Sequence, residues 1–331
     1  MIISRTPFRI SFFGGGTDYP EWYTEHGGAV LSTTIDKYCY ISVRPLPPFF
    51  DHKFRVVYSL VENVRNVSEI QHPAVRGVLD WLQVRSGLEI HHDGDLPARS
   101  GLGSSSAFTV GLLNAVYALD GRMVSKDRLA SEAIHVEQCL LHERVGLQDQ
   151  ISTAFGGFNH IAVAQNGTHT VTPIVLPKER LNALQEHMLL VFTGISRTAA
   201  EVAETVVGNL KHKTADMHTM RQMVDQAMEI LSSPATDLVE FGKLLKEAWA
   251  LKRALSDKVS NSTVDDLMET ATTAGAIGGK LLGAGGGGFA LLFVRPEERV
   301  RVQDRLRHLI TVPFRFEMAG SRIVLYQPDG L

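Results

Sequence analysis

Cysteine is almost missing from this chain. Two residues, Cys39 and Cys139, occur in 331, too few for a disulfide framework and in keeping with a reducing compartment. An excess of one charge is missing too: 33 basic residues stand against 36 acidic ones, a formal charge of −3. That balance gives no support for a nucleic-acid partner or a membrane surface. No apolar run approaches the ~20 residues that a membrane span requires. Arg5 and Arg9 interrupt the first apolar stretch, so no signal peptide is expected and the expected setting is cytoplasmic. Repeats are absent, and so is low-complexity sequence beyond one glycine run. What remains is a 44% apolar composition, ordinary for a folded protein, at a length that suggests about two domains.

Strand-like segments dominate the start. Residues 9–13 and 38–43 are rich in β-branched and aromatic side chains, and Pro45, Pro47 and Pro48 close the second run. Val75, Val78, Leu79 and Leu82 recur at helical spacing within 73–86, and a short strand is expected at 88–92. A helix follows from about Ser105 to Leu119, stopped by Asp120-Gly121. Ser125 caps a helix expected to reach about His142, and Gly156-Gly157 opens a hairpin over 158–176. Near Lys178 the pattern changes, which divides the chain into domains 1–180 and 181–331. The second reads as a strand at 188–192, then helices at about 198–232, 236–255 and 263–274. A glycine run at 283–288, a strand at 289–294, a helix at 296–308 and a last strand at 322–326 complete it.

Five segments carry chemistry. The densest is Pro97-Ala98-Arg99-Ser100-Gly101-Leu102-Gly103-Ser104-Ser105-Ser106-Ala107, a glycine-serine loop feeding a helix. Small residues let backbone approach a ligand closely. Free N–H groups and the positive end of the helix dipole then favour an anion, phosphate above all. The lysine of a Walker loop is missing, which excludes a P-loop NTPase by motif; a plain helix cap is the alternative. A second segment sets Arg9 alone on a strand that ends in Gly14-Gly15-Gly16-Thr17-Asp18. Asp18 can accept from two neighbouring sugar hydroxyls, or cap a tight turn. Third, Ile134, Glu137 and Leu141 share one helical stripe, where a carboxylate needs either a metal or a salt bridge. Fourth, Asp149 in Gly146-Leu147-Gln148-Asp149-Gln150 is either a carboxylate held at fixed geometry or a loop acid. Fifth, Lys280 to Phe289 is too glycine-rich for a helix interior; its donors close over phosphate or substrate, or it packs as a tight turn. His91-His92, and His135 with His142, lack a third ligand at suitable spacing and read as packing histidines.

In this order, segments 5–19, 97–107 and 280–289 resemble the three motifs of the GHMP kinases, the family of galactokinase, homoserine kinase, mevalonate kinase and phosphomevalonate kinase. The resemblance covers essentially the whole chain. Within the family, Gly14 to Tyr19, Ile35-Asp36-Lys37-Tyr38 and Phe192-Thr193-Gly194-Ile195-Ser196-Arg197 are most similar to kinases of heptose 7-phosphate, with L-fucokinases as the nearest rivals. Galactokinases would carry Gly-Glu-His at Gly14-Gly15-Gly16. The resemblance implies an α+β GHMP kinase fold: a ribosomal protein S5 domain 2-like N-terminal domain, a ferredoxin-like C-terminal domain, and an active site between them. It implies ATP and Mg²⁺ as cofactors. ATP phosphates would lie on Gly101, Leu102, Gly103, Ser104, Ser105 and Ser106, with Mg²⁺ on Ser105 (or Ser104) and Glu137. Asp149 would accept the proton of the sugar hydroxyl or orient it, and Arg9 would stabilise the transferring phosphoryl group. Asp18, Gly15, Gly16, Thr17, Lys37, Arg197, Gly285 and Gly286 are the implied substrate contacts, with Arg197, Lys37 and Arg99 as cations for the acceptor's own phosphate. Adenine contacts are expected from 58–92. The implied activity is phosphorylation of the C1 hydroxyl of a heptose 7-phosphate to the 1,7-bisphosphate, on the way to nucleotide-activated heptose. The partner is a small-molecule sugar phosphate, with no nucleic acid and no membrane, and a homodimer is left open. A free-sugar kinase is the alternative, and a non-catalytic sensor on the same fold the remote one.

Overall fold

The computed structural model describes residues 1–98, 100–195 and 199–328. Its first strand shows why the site lies so deep. β1 (Ile2–Phe13) alternates buried and half-buried residues at first, then is buried without interruption from Thr6 to Phe13. A strand of that pattern is covered on both faces. Helices α1 (Pro20–His26) and α2 (Pro73–Trp81) belong to the first half, with strands β2 (Gly28–Pro45), β3 (Phe54–Val57), β4 (Val61–Val64) and β5 (Leu88–Gly94). Helices α3 (Ser104–Leu119), α4 (Lys126–Ile134) and α5 (Gln148–Phe155) follow, then strands β6 (Phe158–Val163) and β7 (His169–Pro173) and helix α6 (Lys178–Glu186). The length of β2 organises the sheet. It pairs with β1 along its course, with β6 through Gly28–Thr33 and with β5 through Cys39–Pro45. β3 and β5 run parallel.

The second half holds β8 (Met188–Phe192), α7 (Ala199–Asn209), α8 (Thr214–Ser232), α9 (Val239–Ala254), α10 (Ser262–Thr273), β9 (Ala276–Leu281), β10 (Phe289–Val294), α11 (Arg299–Arg305) and β11 (Ile310–Val312). Its sheet has the order β11-β8-β10-β9, antiparallel throughout. With the helices between strands, this is the β-α-β-β-α-β arrangement of a ferredoxin-like domain. The chain then returns. β12 (Phe316–Glu317) pairs with β2, and β13 (Arg322–Tyr326) with β1. The expected unit 181–331 therefore gives its last strands to the first sheet. Other expectations change in detail. The single helix at 198–232 is α7 and α8 with a 3-10 turn at Leu210–Lys213 between them, beside Asn209, whose side chain donates to the Leu255 carbonyl at 2.8 Å. The helix expected to reach His142 leaves α-geometry after Ile134 and finishes as a π turn, His135–Leu140.

One core joins the halves. Phe241 of α9 packs edge-on against Phe12 and Phe13 at the end of β1, with centroids 5.5 and 5.1 Å away. Each such pair contributes about 0.5–1.5 kcal/mol beyond area burial. Met223 and Val224 of α8 lie in the same cluster, so the end of β1 is fixed by both halves. Among the described residues no helix is long and apolar enough to cross a membrane.

Candidate active site

Arg9 lies in the buried stretch of β1, and its charge is met at two points. Nε donates to Asp149 Oδ1 at 2.7 Å and Nη2 to Asp149 Oδ2 at 2.8 Å, while Nη1 donates to the Gly101 carbonyl at 2.6 Å. A fork-to-carboxylate pair of this kind fixes orientation as well as charge. Asp149 sits in the first turn of α5, where a carboxylate suits the helix dipole. It keeps 26% of its side-chain surface open, against 3% for Arg9. The Arg9 backbone N–H also donates to the Leu102 carbonyl at 3.0 Å, which anchors strand to loop.

Backbone geometry fits the glycine-serine loop to bind an anion. Gly103 has φ +72° and precedes α3, a 16-residue helix. A Cβ on Gly103 would stand 3.0 Å from Arg9 Cγ and 3.5 Å from Asp149 Oδ2, so glycine there lets loop and ion pair touch. On its other side the loop lies against the second glycine run. A Cβ on Gly283 would come 2.5 Å from Gly101 Cα, and one on Gly288 would come 2.3 Å from the Ser100 carbonyl oxygen. The Phe289 N–H donates to that same carbonyl at 3.1 Å.

Asp18 is fully buried and already bonded. Oδ1 accepts from the Gly16 N–H at 3.0 Å and from Gln148 Nε2 at 3.2 Å, and Oδ2 accepts from the Gln148 N–H at 3.1 Å. Burial raises its pKa above the usual range and the nearby Asp149 charge adds to this, while the bonds from Gly16 and Gln148 act in the opposite sense. The carboxylate expected to grip the substrate holds Gln148, the residue before Asp149. Thr17, another expected substrate contact, has its buried hydroxyl bonded to the Gly14 and Ala29 carbonyls, where it pins the turn. Gly15 is half-buried beside the Gln148 amide, and Gly16, at φ +108°, lies under Met217.

Glu137 is carried by the π turn, a device that recurs at functional sites. It is 1% exposed. Oε2 accepts from Ser106 Oγ at 2.9 Å and from Gln150 Nε2, and Oε1 is buried with no partner. Burial raises its pKa to about 7, with Glu143 adding to the rise and the nearby polar side chains of Thr109, Ser106 and Gln150 opposing it. The hydroxyl that the structure brings to Glu137 is thus Ser106, whereas Ser105, expected there, is exposed on the first turn of α3. Ser104 opens that turn.

Two lysines complete the site, Lys280 buried and Lys252 half-buried. Lys280 of β9 donates to the Phe12 carbonyl at 2.8 Å, and burial, with Lys252 and Arg9 nearby, pushes its pKa well below the usual lysine range. Lys252 of α9 donates to the Leu281 carbonyl at 3.2 Å and to the Gly283 carbonyl. Sequence reasoning passed over Lys252, whose helix alternates charges in the manner of a solvated face. Other expected contacts lie elsewhere. Lys37 donates to Asp36 Oδ1 at 3.3 Å, in a bulge of β2 that pairs with the backbone of Arg315. A Cβ on Gly285 would meet the Val259 carbonyl oxygen at 2.7 Å, and the Gly286 N–H donates to the same oxygen at 2.9 Å, so these glycines serve backbone packing. Arg197 and Arg99 lie outside the described residues. His135 packs on Trp81 and His92 on Phe108, both through their rings.

Comparison with known proteins adds to this geometry. The chain matches the GHMP kinases N terminal domain over residues 64–157 and the GHMP kinases C terminal domain over residues 227–310, together more than half its length. It is 28% identical to D-glycero-alpha-D-manno-heptose 7-phosphate kinase of Campylobacter jejuni subsp. jejuni serotype O:2 over 317 residues, 92% of this chain and 93% of that one. It is 26% identical to bifunctional fucokinase/GDP-fucose pyrophosphorylase of Arabidopsis thaliana over 322 residues, 89% of this chain but 30% of that longer protein. A solved D-glycero-D-manno-heptose 1-phosphate kinase from Bacteroides thetaiotaomicron superposes with TM-score 0.80 at 24% identity over 98% of both chains, which shows a shared fold.

Proposed function

This chain belongs to the GHMP kinase family and is a sugar kinase, with ATP as phosphate donor, and from that premise we propose its acceptor: the C1 hydroxyl of D-glycero-D-manno-heptose 7-phosphate. The observation that carries the reading is the two-point Arg9–Asp149 pair placed against Gly101 of the anion loop. Phosphoryl transfer asks for alignment and charge neutralisation more than for covalent help. ATP phosphates would rest on residues 101–106 at the start of α3. Asp149, held at both oxygens and partly open, would take the hydrogen bond of the sugar hydroxyl and aim its oxygen at the γ-phosphorus. The bond from that phosphorus to the β-bridging oxygen then breaks, and a bond to the sugar oxygen forms. The hydroxyl proton leaves to Asp149 or to water. Arg9 stabilises the charge in transit.

Glu137 and Ser106 fit Mg²⁺. They are hard oxygen donors, and one buried Glu137 oxygen has no partner. Mg²⁺ bound there would neutralise charge on the β- and γ-phosphates. His72, stacked on Phe108 with Tyr58 edge-on, lies within reach of the same helix and offers an apolar wall for adenine.

The acceptor rests on the relative matched over nearly the whole of both chains. A coupled ADP-release assay with Mg-ATP tests it, with heptose 7-phosphate, heptose 1-phosphate, L-fucose and galactose as acceptors. Turnover confined to heptose 7-phosphate, lost in Asp149→Asn, is expected. Turnover of L-fucose would move the function to a free-sugar kinase, and turnover of heptose 1-phosphate alone would move the reacting hydroxyl away from C1. No ADP release with any acceptor would overturn the reading.

A further inference from the structure

Lys252 stands apart from the pair and the loop. It reaches the site from α9, in the second half, and its two hydrogen-bond acceptors, the carbonyls of Leu281 and Gly283, carry no net charge. They hold the cation without neutralising it. Gly283 lies directly against Gly101, whose carbonyl accepts from Arg9. Lys252, Gly283, Gly101, Arg9 and Asp149 therefore form one continuous line, with the two cations flanking the anion loop from opposite halves. The charged groups that act on Lys252 are Arg9, Asp149 and Asp18, with Lys280 one residue from its Leu281 contact. An ammonium has three N–H donors, and the two carbonyls use two. An ammonium drawn partly out of water and held only by carbonyls costs stability, and this one stands beside the contact between Gly283 and Gly101.

We propose that Lys252 is a further catalytic residue, whose third N–H takes a non-bridging oxygen of the phosphoryl group on its way from the loop to the hydroxyl at Asp149. This rests on the kinase reading above. The competing role is a latch that only holds Gly283.

The two roles separate in the kinetics of Lys252→Met and Lys252→Arg, with Mg-ATP and the acceptor that the wild type turns over, heptose 7-phosphate first. Lys252→Met should lower kcat at least ~100-fold while KM for both substrates moves less than about threefold. Binding of a fluorescent ATP analogue should be unchanged. Burial and Arg9 push Lys252 down to about 7, and only the protonated amine can serve. Wild-type kcat/KM for ATP should therefore fall as pH rises through about 7. Lys252→Arg, charged at every working pH, should recover part of kcat and lose that alkaline limb. A Lys252→Met kcat within about threefold of wild type, or a defect confined to KM or stability, would overturn the proposal. So would a Lys252→Arg profile that keeps the limb, and this arm decides alone if Lys252→Met does not fold. A wild type inactive on every acceptor sinks the kinase reading with it, whereas an active wild type with an unimpaired variant sinks this proposal alone.

Discussion

Arg9 and Asp149 are unequally buried, 3% against 26% exposed, so removing one should not cost what removing the other costs. Asp149→Asn keeps the shape and deletes the charge. The guanidinium then stays buried near Lys252 and Lys280 without its counter-ion. Breaking a buried pair in this way costs about 3–5 kcal/mol, and the retained amide oxygen places this case at the low end, about 3. Arg9→Met leaves a carboxylate that can reach water, removes one cation from a crowded group, and gives up the bond to the Gly101 carbonyl. That sums to about 1–2 kcal/mol. Once Arg9 is gone, Asp149→Asn has little left to break, so the double variant should resemble Arg9→Met, with a coupling energy of about 3 kcal/mol. Urea unfolding at pH 7 without nucleotide or metal, followed by circular dichroism, reads all three through the midpoint and a shared m-value. ADP release should fall at least ~100-fold in both single variants despite their different stabilities. If Arg9→Met is the more destabilising, or if the two changes add within about 0.5 kcal/mol, the argument from burial is wrong.

The folded state holds the Glu137 proton up to about pH 7, while an ordinary glutamate loses it near 4.5. Stability of metal-free protein should therefore fall as pH rises between those values, by up to about 3 kcal/mol, and Glu137→Gln should abolish that fall; urea midpoints at pH 5 and 8 that drop equally in both proteins would contradict it. Gly283→Ala puts a methyl 2.5 Å from Gly101 Cα at φ +68°. ATP-analogue affinity and turnover should each fall at least about tenfold, while Gly208→Ala, facing open space inside α7, should stabilise by about 0.5–1 kcal/mol in the same unfolding assay. Phe241→Ala should cost about 3–5 kcal/mol. Because Phe241 sits in the core that both halves share, circular dichroism and tryptophan fluorescence should report one common transition in the wild type.

Those contrasts mark what could be read from the sequence. The glycine-serine loop at the start of α3 was legible because its signal is local, glycines and serines just ahead of a helix. Arg9 and Asp149 were legible as residue types, and the order of the motifs supplied their partnership. The βαββαβ topology followed from the resemblance, although β9 was hidden by Gly278 and Gly279, and β12 by having only two residues. Less legible were glycines and hydroxyls whose surroundings depend on what lies opposite. Gly285 and Thr17 have the composition of ligand contacts, yet the structure sets a backbone carbonyl against each. The stripe Ile134, Glu137, Leu141 was counted at α-helical spacing, whereas Glu137 lies on a π turn, and the hydroxyl that meets its carboxylate is that of Ser106, not Ser105. Lys252 is the hardest case. On α9 it follows Lys243 and Lys246 among residues that read as a solvated face, and only the packing of α9 against β9 turns it toward Gly283. A charge that nears the loop of one half only through a glycine of the other leaves no local pattern, because the contact between the halves creates the juxtaposition.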